Sequence, residues 1–365
     1  MPKIKEVIRF LEQVAPPAYQ ESYDNCGLLT GNAEAELTGV LITLDTLEEV
    51  IDEAIAQNCN LIVSHHPVIF KGLKKLTGNN YVERTIIKAI KNDIAVYAIH
   101  TNLDSVLHGV NHKIAEKLGL INLKILSPKK QLLKKLVTFI PSEATDKVMK
   151  ELYAAGGGHI GNYSECSFRV EGIGTFKPNQ AANPTIGNAD ELEFVKENRV
   201  EVIFPGYLED KIVTALFQAH PYEEPAYDIF LLENIHKKVG AGLLGELPEP
   251  VSELDFLMNL KERMNVPLVR HTAFLDKKVT KIAICGGSGS FLLKDAIKAK
   301  SDFFVTADFK YHEFFDAEKK IVIADIGHYE SEIYTKELIY EILSKKFTNI
   351  ALILSKVFSN PIRYT

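Results

Sequence analysis

Two adjacent histidines, His65 and His66, sit inside the run LIVSHHPVIF at residues 61–70. Leu61, Ile62 and Val63 are β-prone and Ser64 ends the run. Pro67 forbids a simple continuation of the strand ladder, so the imidazoles arrive at a strand end and a turn. In an open α/β sheet that is where ligands collect. Neighbouring side chains there point to different sides and could serve two ions. Three further pairs follow runs of the same buried-strand type: His100 with Asp104, Asp308 with His312, and His328 with Glu332. His328 and Glu332 lie four residues apart in HYESE, which puts them on one face of a helix. Imidazole and carboxylate together suit Zn, Mn, Fe or Ni better than Mg or Ca. Taken singly, each residue reads as a hydrogen-bonding group at a turn; their shared placement at strand ends favours a metal site.

Other motifs carry weaker chemistry. GGSGS at 286–290 lies between a strand and a helix, so the amides of Gly286, Gly287, Ser288 and Gly289 are candidates to hold an anion or phosphate. It lacks the Lys-Ser/Thr ending of a nucleotide P-loop, and a tight turn is the equal alternative. GAGLLG at 240–245 matches GxGxxG, but no clear strand leads into it and Pro248 and Pro250 follow where a helix should start. His220 in HPYEEP reads as a turn or subunit contact, and Asp24-Asn25 before Cys26-Gly27 as a tight turn.

The elements that must position these groups follow from periodicity. Ile4, Val7, Ile8, Leu11 and Val14 repeat at helical spacing. GVLITLD then reads as a strand, and TLEEVIDEAIAQN as a helix capped by Thr46. LIVSHH is a strand, 81–92 a helix, IAVYAIHTNLD a strand, and 109–118 a helix. That alternation predicts a mainly parallel sheet. The texture changes near Pro128, where the order becomes strand, helix, strand, strand, helix, strand, a ferredoxin-like pattern. After Lys238 the first texture returns in KIAICGG, DFFVTAD and IVIAD. The expected fold class is α/β: two α/β lobes, residues 1–127 and 237–365, forming one metal-binding core, with an inserted ferredoxin-like α+β domain over 128–236.

A chain of 365 residues can bury two or three domains, and 42 basic against 48 acidic residues give a net charge of −6. That balance argues against nucleic acid or membrane surfaces as partners. No apolar run approaches the roughly 18 residues of a spanning helix. Four scattered cysteines with no CxxC pair argue against a disulfide framework or a thiolate zinc site, and point to the cytoplasm.

SHHP, HTNLD and GHYESE, in that order and with a domain inserted between the second and third, resemble the NGG-one interacting factor three-like family. Its members are often labelled GTP cyclohydrolase I type 2 homologs. DNCGLL and TADFKYHE look like further family elements, so the resemblance covers nearly the whole chain. It implies a site for two divalent ions, Zn foremost, held by His65, His66, Asp104, His328 and Glu332. His100 and His312 would then be neighbouring groups that orient ligands or carry protons. The insert resembles the trimer-forming domains of PII signalling proteins and CutA, which implies a homohexameric ring with trimer contacts through the insert. One departure is visible: Leu243 and Leu244 stand in the GAGLLG stretch where the family tends to have an Arg. The expected function is a metal-dependent hydrolase acting on a nucleotide-like, phosphorylated or cyclic-amide small molecule. The alternative is a non-catalytic metal- or ligand-sensing regulator or scaffold acting through the PII-like insert.

Overall fold

The runs GVLIT, LIVS, FFVTA and VIAD are buried at every position, as strands covered on both faces must be. A computed structural model describes residues 2–365 and divides the chain into two units, Met1–Ser127 with Lys238–Thr365, and Pro128–Lys237.

The first unit holds two sheets. One runs, edge to edge, through Gly27–Thr30, Ala95–Ala98, Leu61–Ser64, Gly39–Thr43 and Ala351–Leu354. The other runs through Arg270–His271, Val322–Asp325, Phe303–Ala307, Lys278–Ser288, Gly240–Ser252 and Ile121–Pro128. The central pairings are parallel in both, with registers such as Val40↔Leu61, Leu61↔Ala95, Ile282↔Phe303 and Phe303↔Val322. Each sheet takes an edge strand from the other sequence segment: Ala351–Leu354 joins the first sheet, in parallel with Gly39–Thr43, and Ile121–Pro128 joins the second. The two α/β lobes are therefore not two uninterrupted stretches of chain.

Alternation along each strand feeds separate cores. Val40, Ile42, Leu61 and Val63 of the first sheet pack in one cluster with Ile282, Ile284, Phe303 and Val305 of the second. Ile4, Val7, Ile8 and Leu11 of helix Ile4–Val14 fill the same cluster, on the face that their spacing foretold. Leu41, Ile62 and Val96 face the other way, under helices Glu48–Ala56 and Tyr81–Lys91. The first of these helices begins later than its sequence suggests. Leu47 occupies the cap position without a side-chain hydrogen bond, and the buried Thr46 hydroxyl has no partner.

The insert orders its strands Ser167–Phe176, Glu193–Pro205, Leu133–Pro141, Tyr227–Leu232, all antiparallel. Helices Thr145–Ala154 and Glu209–Ala219 cover one face, with Leu136, Ile140, Val200, Val202 and Phe204 beneath them. This is the expected ferredoxin-like arrangement.

GAGLLG is not the strand-to-helix loop of a dinucleotide site but the start of the thirteen-residue strand Gly240–Ser252. Leu243 and Leu244, 0% and 4% exposed, are core residues of that strand, which accounts for apolar side chains there.

Candidate metal centre

The parallel strands deliver their polar ends to one place. His65 and His66 follow Leu61–Ser64, His100 follows Ala95–Ala98, and Asp308 and His328 follow Phe303–Ala307 and Val322–Asp325. Each imidazole is held by its Nδ1. His65 Nδ1 donates to the Ile99 carbonyl at 2.8 Å, and His66 to Asp45 Oδ1 at 2.7 Å. His100 donates to Asp24 Oδ1 at 2.8 Å, and His328 to Asp308 Oδ2 at 2.6 Å. A donor hydrogen on Nδ1 reserves Nε2 as the atom whose lone pair an ion would take, the arrangement that metal-bound histidines require of their supporting groups.

The Nε2 atoms converge. His66, His328 and Glu332 bring ligand atoms together, and so do His65, His66 and His100; these are two adjacent clusters that could hold metal ions, with His66 common to both. Glu332 Oε2 lies 2.9 Å from His66 Nε2 and 3.0 Å from His328 Nε2, and its Oε1 is 3.9 Å from His65 Nε2. The i, i+4 spacing of His328 and Glu332 is realised on the short helix His328–Glu332. Gly287, at φ +62°, makes room for that carboxylate, since a Cβ there would stand 2.3 Å from Glu332 Oε1.

Two observations test whether these groups fit ions. His65 Nε2 and Asp104 Oδ1 are both buried without a hydrogen-bond partner, and they face each other at 3.6 Å. His66 Nε2 and His328 Nε2 lie 3.4 Å apart. Two ligand atoms bound about 2.1 Å from one tetrahedral ion stand roughly 3.4 Å apart. Buried polar atoms are rarely left orphaned without cause, so both spacings fit a shared cation.

Without ions the cluster is strongly polarised. Burial alone would push the His66 imidazole down, but Glu332 and then Asp45 outweigh it and hold it up at about 10. His328 is likewise raised, to about 11, because Asp308 and Glu332 overcome burial. Burial would raise Glu332, yet His66 and His328 keep it well below the usual carboxylate range. Asp104 goes the other way: burial lifts it to about 7 against the opposing pull of His100. Cys26, near His100, is no ligand in this state. Burial and Asp24 push its thiol up to about 12, and its sulfur lies 3.1 Å from both Asp24 Oδ2 and Asn102 Oδ1.

His66, His100 and His328 line a cleft of about 790 Å³, with Phe70, Tyr81 and Arg363 also on its walls. His312 belongs to neither cluster; it is exposed, with its ring against Tyr311 and Phe315. The GGSGS amides are partly used already. Gly286 N–H donates to Asn111 Oδ1 and Gly287 N–H to Ser331 Oγ, and of the stretch Gly286, Gly287, Ser288 and Gly289 it is Gly287 that leaves the space for Glu332 Oε1. The orienting aspartates Asp24, Asp45 and Asp308 are the groups that sequence reasoning missed in their roles. Asp45 and Asp308 do end strand runs, which was their one visible signal.

Imidazoles and carboxylates gathered at the ends of the central parallel strands of two mixed sheets, in a chain that also carries a ferredoxin-like insert, define an α/β protein with a candidate metal centre. The chain belongs to the Duf34/NIF3 (NGG1p interacting factor 3) family, whose model matches residues 2–361. It is 39% identical over 366 residues to the "GTP cyclohydrolase 1 type 2 homolog" of Bacillus subtilis (strain 168), covering 99% of this chain and 98% of the relative. The protein of the same description from Halalkalibacterium halodurans is 38% identical over 363 residues, covering 98% of both. Among solved structures, the Bacillus cereus protein related to NIF3 superposes with a TM-score of 0.86 at 37% identity, covering 100% of this chain and 99% of its own. Reduced HcgD from Methanocaldococcus jannaschii shares the fold, with a TM-score of 0.58 at 19% identity over 98% of each chain. Among the described residues no helix is long and apolar enough to cross a membrane.

Proposed function

We propose that this chain is a dinuclear divalent-metal protein working as a hydrolase on a nucleotide-like, phosphorylated or cyclic-amide small molecule. The observation that carries the reading is access: three imidazoles of the cluster open onto one cleft, whereas a purely structural site would be closed. His65, His66, Asp104, His328 and Glu332 are the proposed ligands, and Glu332 has an oxygen toward each histidine of the set. Two such ions would supply Lewis acidity and activate water near neutral pH. Zn suits the imidazole and carboxylate set, with Mn, Fe and Ni as the other candidates. His100, fixed by Asp24 on the cleft wall, is placed to join the ligands or to hold a proton. The rings of Phe70 and Tyr81 offer planar faces to a base, and Arg363 offers a charge to an anion.

The protein would work in the cytoplasm, a reading supported by four free cysteines. It would assemble as a homohexamer, with trimer contacts through the insert. Support comes from Phe168, Val170 and Phe230, which are exposed on the sheet face opposite the helices.

The test is to load the purified protein separately with Zn, Mn, Fe and Ni and to assay nucleotides including GTP, phosphomonoesters, phosphodiesters and cyclic amides. Turnover that Glu332→Ala abolishes is the expected result. Inactivity across that panel, with every ion bound, would favour the second reading, a non-catalytic metal- or ligand-sensing regulator. That alternative draws on a separate cavity in the insert.

A further inference from the structure

Glu197 is a buried carboxylate, 8% exposed, on the insert strand Glu193–Pro205. It makes no salt bridge and receives no backbone donor among the described residues. A charge in that position is costly unless something compensates it. Gly174 on the neighbouring strand keeps its surroundings open, because a Cβ there would lie 2.0 Å from Glu197 Oε2. The Tyr222 hydroxyl, also buried, is the group that approaches this carboxylate. Burial, and then Glu197, raise the Tyr222 pKa, so that hydroxyl keeps its proton.

The HPYEEP segment is what brings Tyr222 there. His220 Nε2 donates to the Phe139 carbonyl at 3.0 Å, and its Nδ1 accepts the Tyr222 N–H at 3.1 Å. Acceptance at Nδ1 requires the neutral ring, and burial lowers the His220 pKa accordingly. The turn is thereby pinned to the sheet. Tyr222 meets Phe176 edge-on with ring centroids 5.7 Å apart. Phe176, Tyr222 and Glu197 then line one cavity of about 440 Å³, with Lys177, Glu223 and Glu224 also on its walls, within the range of small-molecule sites.

A buried carboxylate without an ion pair, framed by aromatic rings in a cavity whose walls carry more acids than bases, is the recognition chemistry of an organic cation. The carboxylate takes the N–H donors and the ring faces take the charge and the apolar body. We propose that the insert carries a binding site for a small organic ammonium with an apolar body, with Glu197 as its counter-ion and Phe176 and Tyr222 as its walls. The site lies within residues 128–237 and owes nothing to the metal centre, so it stands or falls apart from the hydrolase reading.

The experiment uses the full chain and three probes of one shape: benzylammonium, benzyl alcohol and benzoate, titrated by calorimetry and by ligand-observed NMR. Benzylammonium should bind about ten- to a hundredfold more tightly than benzyl alcohol, the range that one charge-assisted hydrogen bond supplies. Benzoate should not bind. Glu197→Gln should reduce benzylammonium to the affinity of the alcohol while leaving the metal content unchanged. Equal binding of all three probes would overturn the proposal, as would no binding of the ammonium to the folded protein or full affinity in Glu197→Gln. Should that variant fail to fold, the ranking of the three probes on the unaltered chain still decides.

Discussion

Glu332 and Glu197 are both buried carboxylates, 2% and 8% exposed, and they keep opposite company. Glu332 sits among His65, His66 and His328, whose rings are themselves held by a carbonyl and two aspartates. Glu197 is approached by one tyrosine hydroxyl and makes no ion pair among the described residues. Burial by itself therefore does not define the chemistry of an acid. The first site brings its positive charge in protonated imidazoles that an ion can replace; the second leaves the charge to come from outside.

Glu332→Ala is the most direct way to break that contrast. It removes the one residue that reaches all three imidazoles, and elemental analysis of the purified variant should show the loss of at least one ion per chain. Full occupancy would remove Glu332 from the ligand set. Asp45→Asn and Asp308→Asn come next. Each leaves a histidine in place but unsettles its tautomer, so metal affinity should drop about 10- to 100-fold in competition with a chromophoric chelator.

The raised pKa values set a third test, with opposite signs for the two states of the centre. In ion-free protein, the protons on His66 and His328 stabilise the fold fully below the unfolded value of about 6.5. That contribution is lost as pH rises toward about 10 for His66 and about 11 for His328. Asp104, raised to about 7, acts in the same direction at lower pH, since burial favours its neutral form. Melting temperature in the presence of chelator should therefore fall between neutral pH and pH 10. Metal affinity should rise over the same interval, because binding displaces those protons. A melting temperature that climbs with pH in chelator would contradict the assigned protonation states.

On the other side of the comparison, Glu197→Gln removes a buried carboxyl that has no ion-pair partner and should stabilise the insert by about 1 kcal/mol in denaturant unfolding. Loss of stability instead would reveal a compensating partner. His312→Ala should do least, within about 0.5 kcal/mol and with unchanged metal content. A lost ion there would return His312 to the centre.

Much of this was legible because strand ends punctuate the sequence clearly. LIVSHHP, the His-Glu spacing in HYESE and the alternation of the insert each identify their element from local pattern alone. The ferredoxin-like order needed only the sequence of strands and helices. What escaped was everything that depends on distant pairing. Asp24 looks like part of a turn because nothing local says that its carboxylate meets His100, 76 residues away. GGSGS looks like an anion loop because a glycine that provides space and one that provides an amide are written alike. Thr46 looks like a cap because its hydroxyl type fits, while the helix starts only after Leu47. The exchange of edge strands was invisible for the same reason, since pairing Ala351 with Gly39 spans nearly the whole chain.

That exchange bears on how the molecule is made. A ribosome emits His66 long before Glu332, 266 residues later. At about 5–20 residues per second the interval is roughly 15–50 s. During that time the nascent first sheet lacks its closing edge at Ala351–Leu354, and the paired imidazoles lack their carboxylate. The complete insert emerges within that wait, with its own core and no strand borrowed from either flank. Synthesis thus separates the two units in time: the insert can fold while the histidine cluster still lacks His328 and Glu332, and any ion would be captured in the last moments of translation or after it.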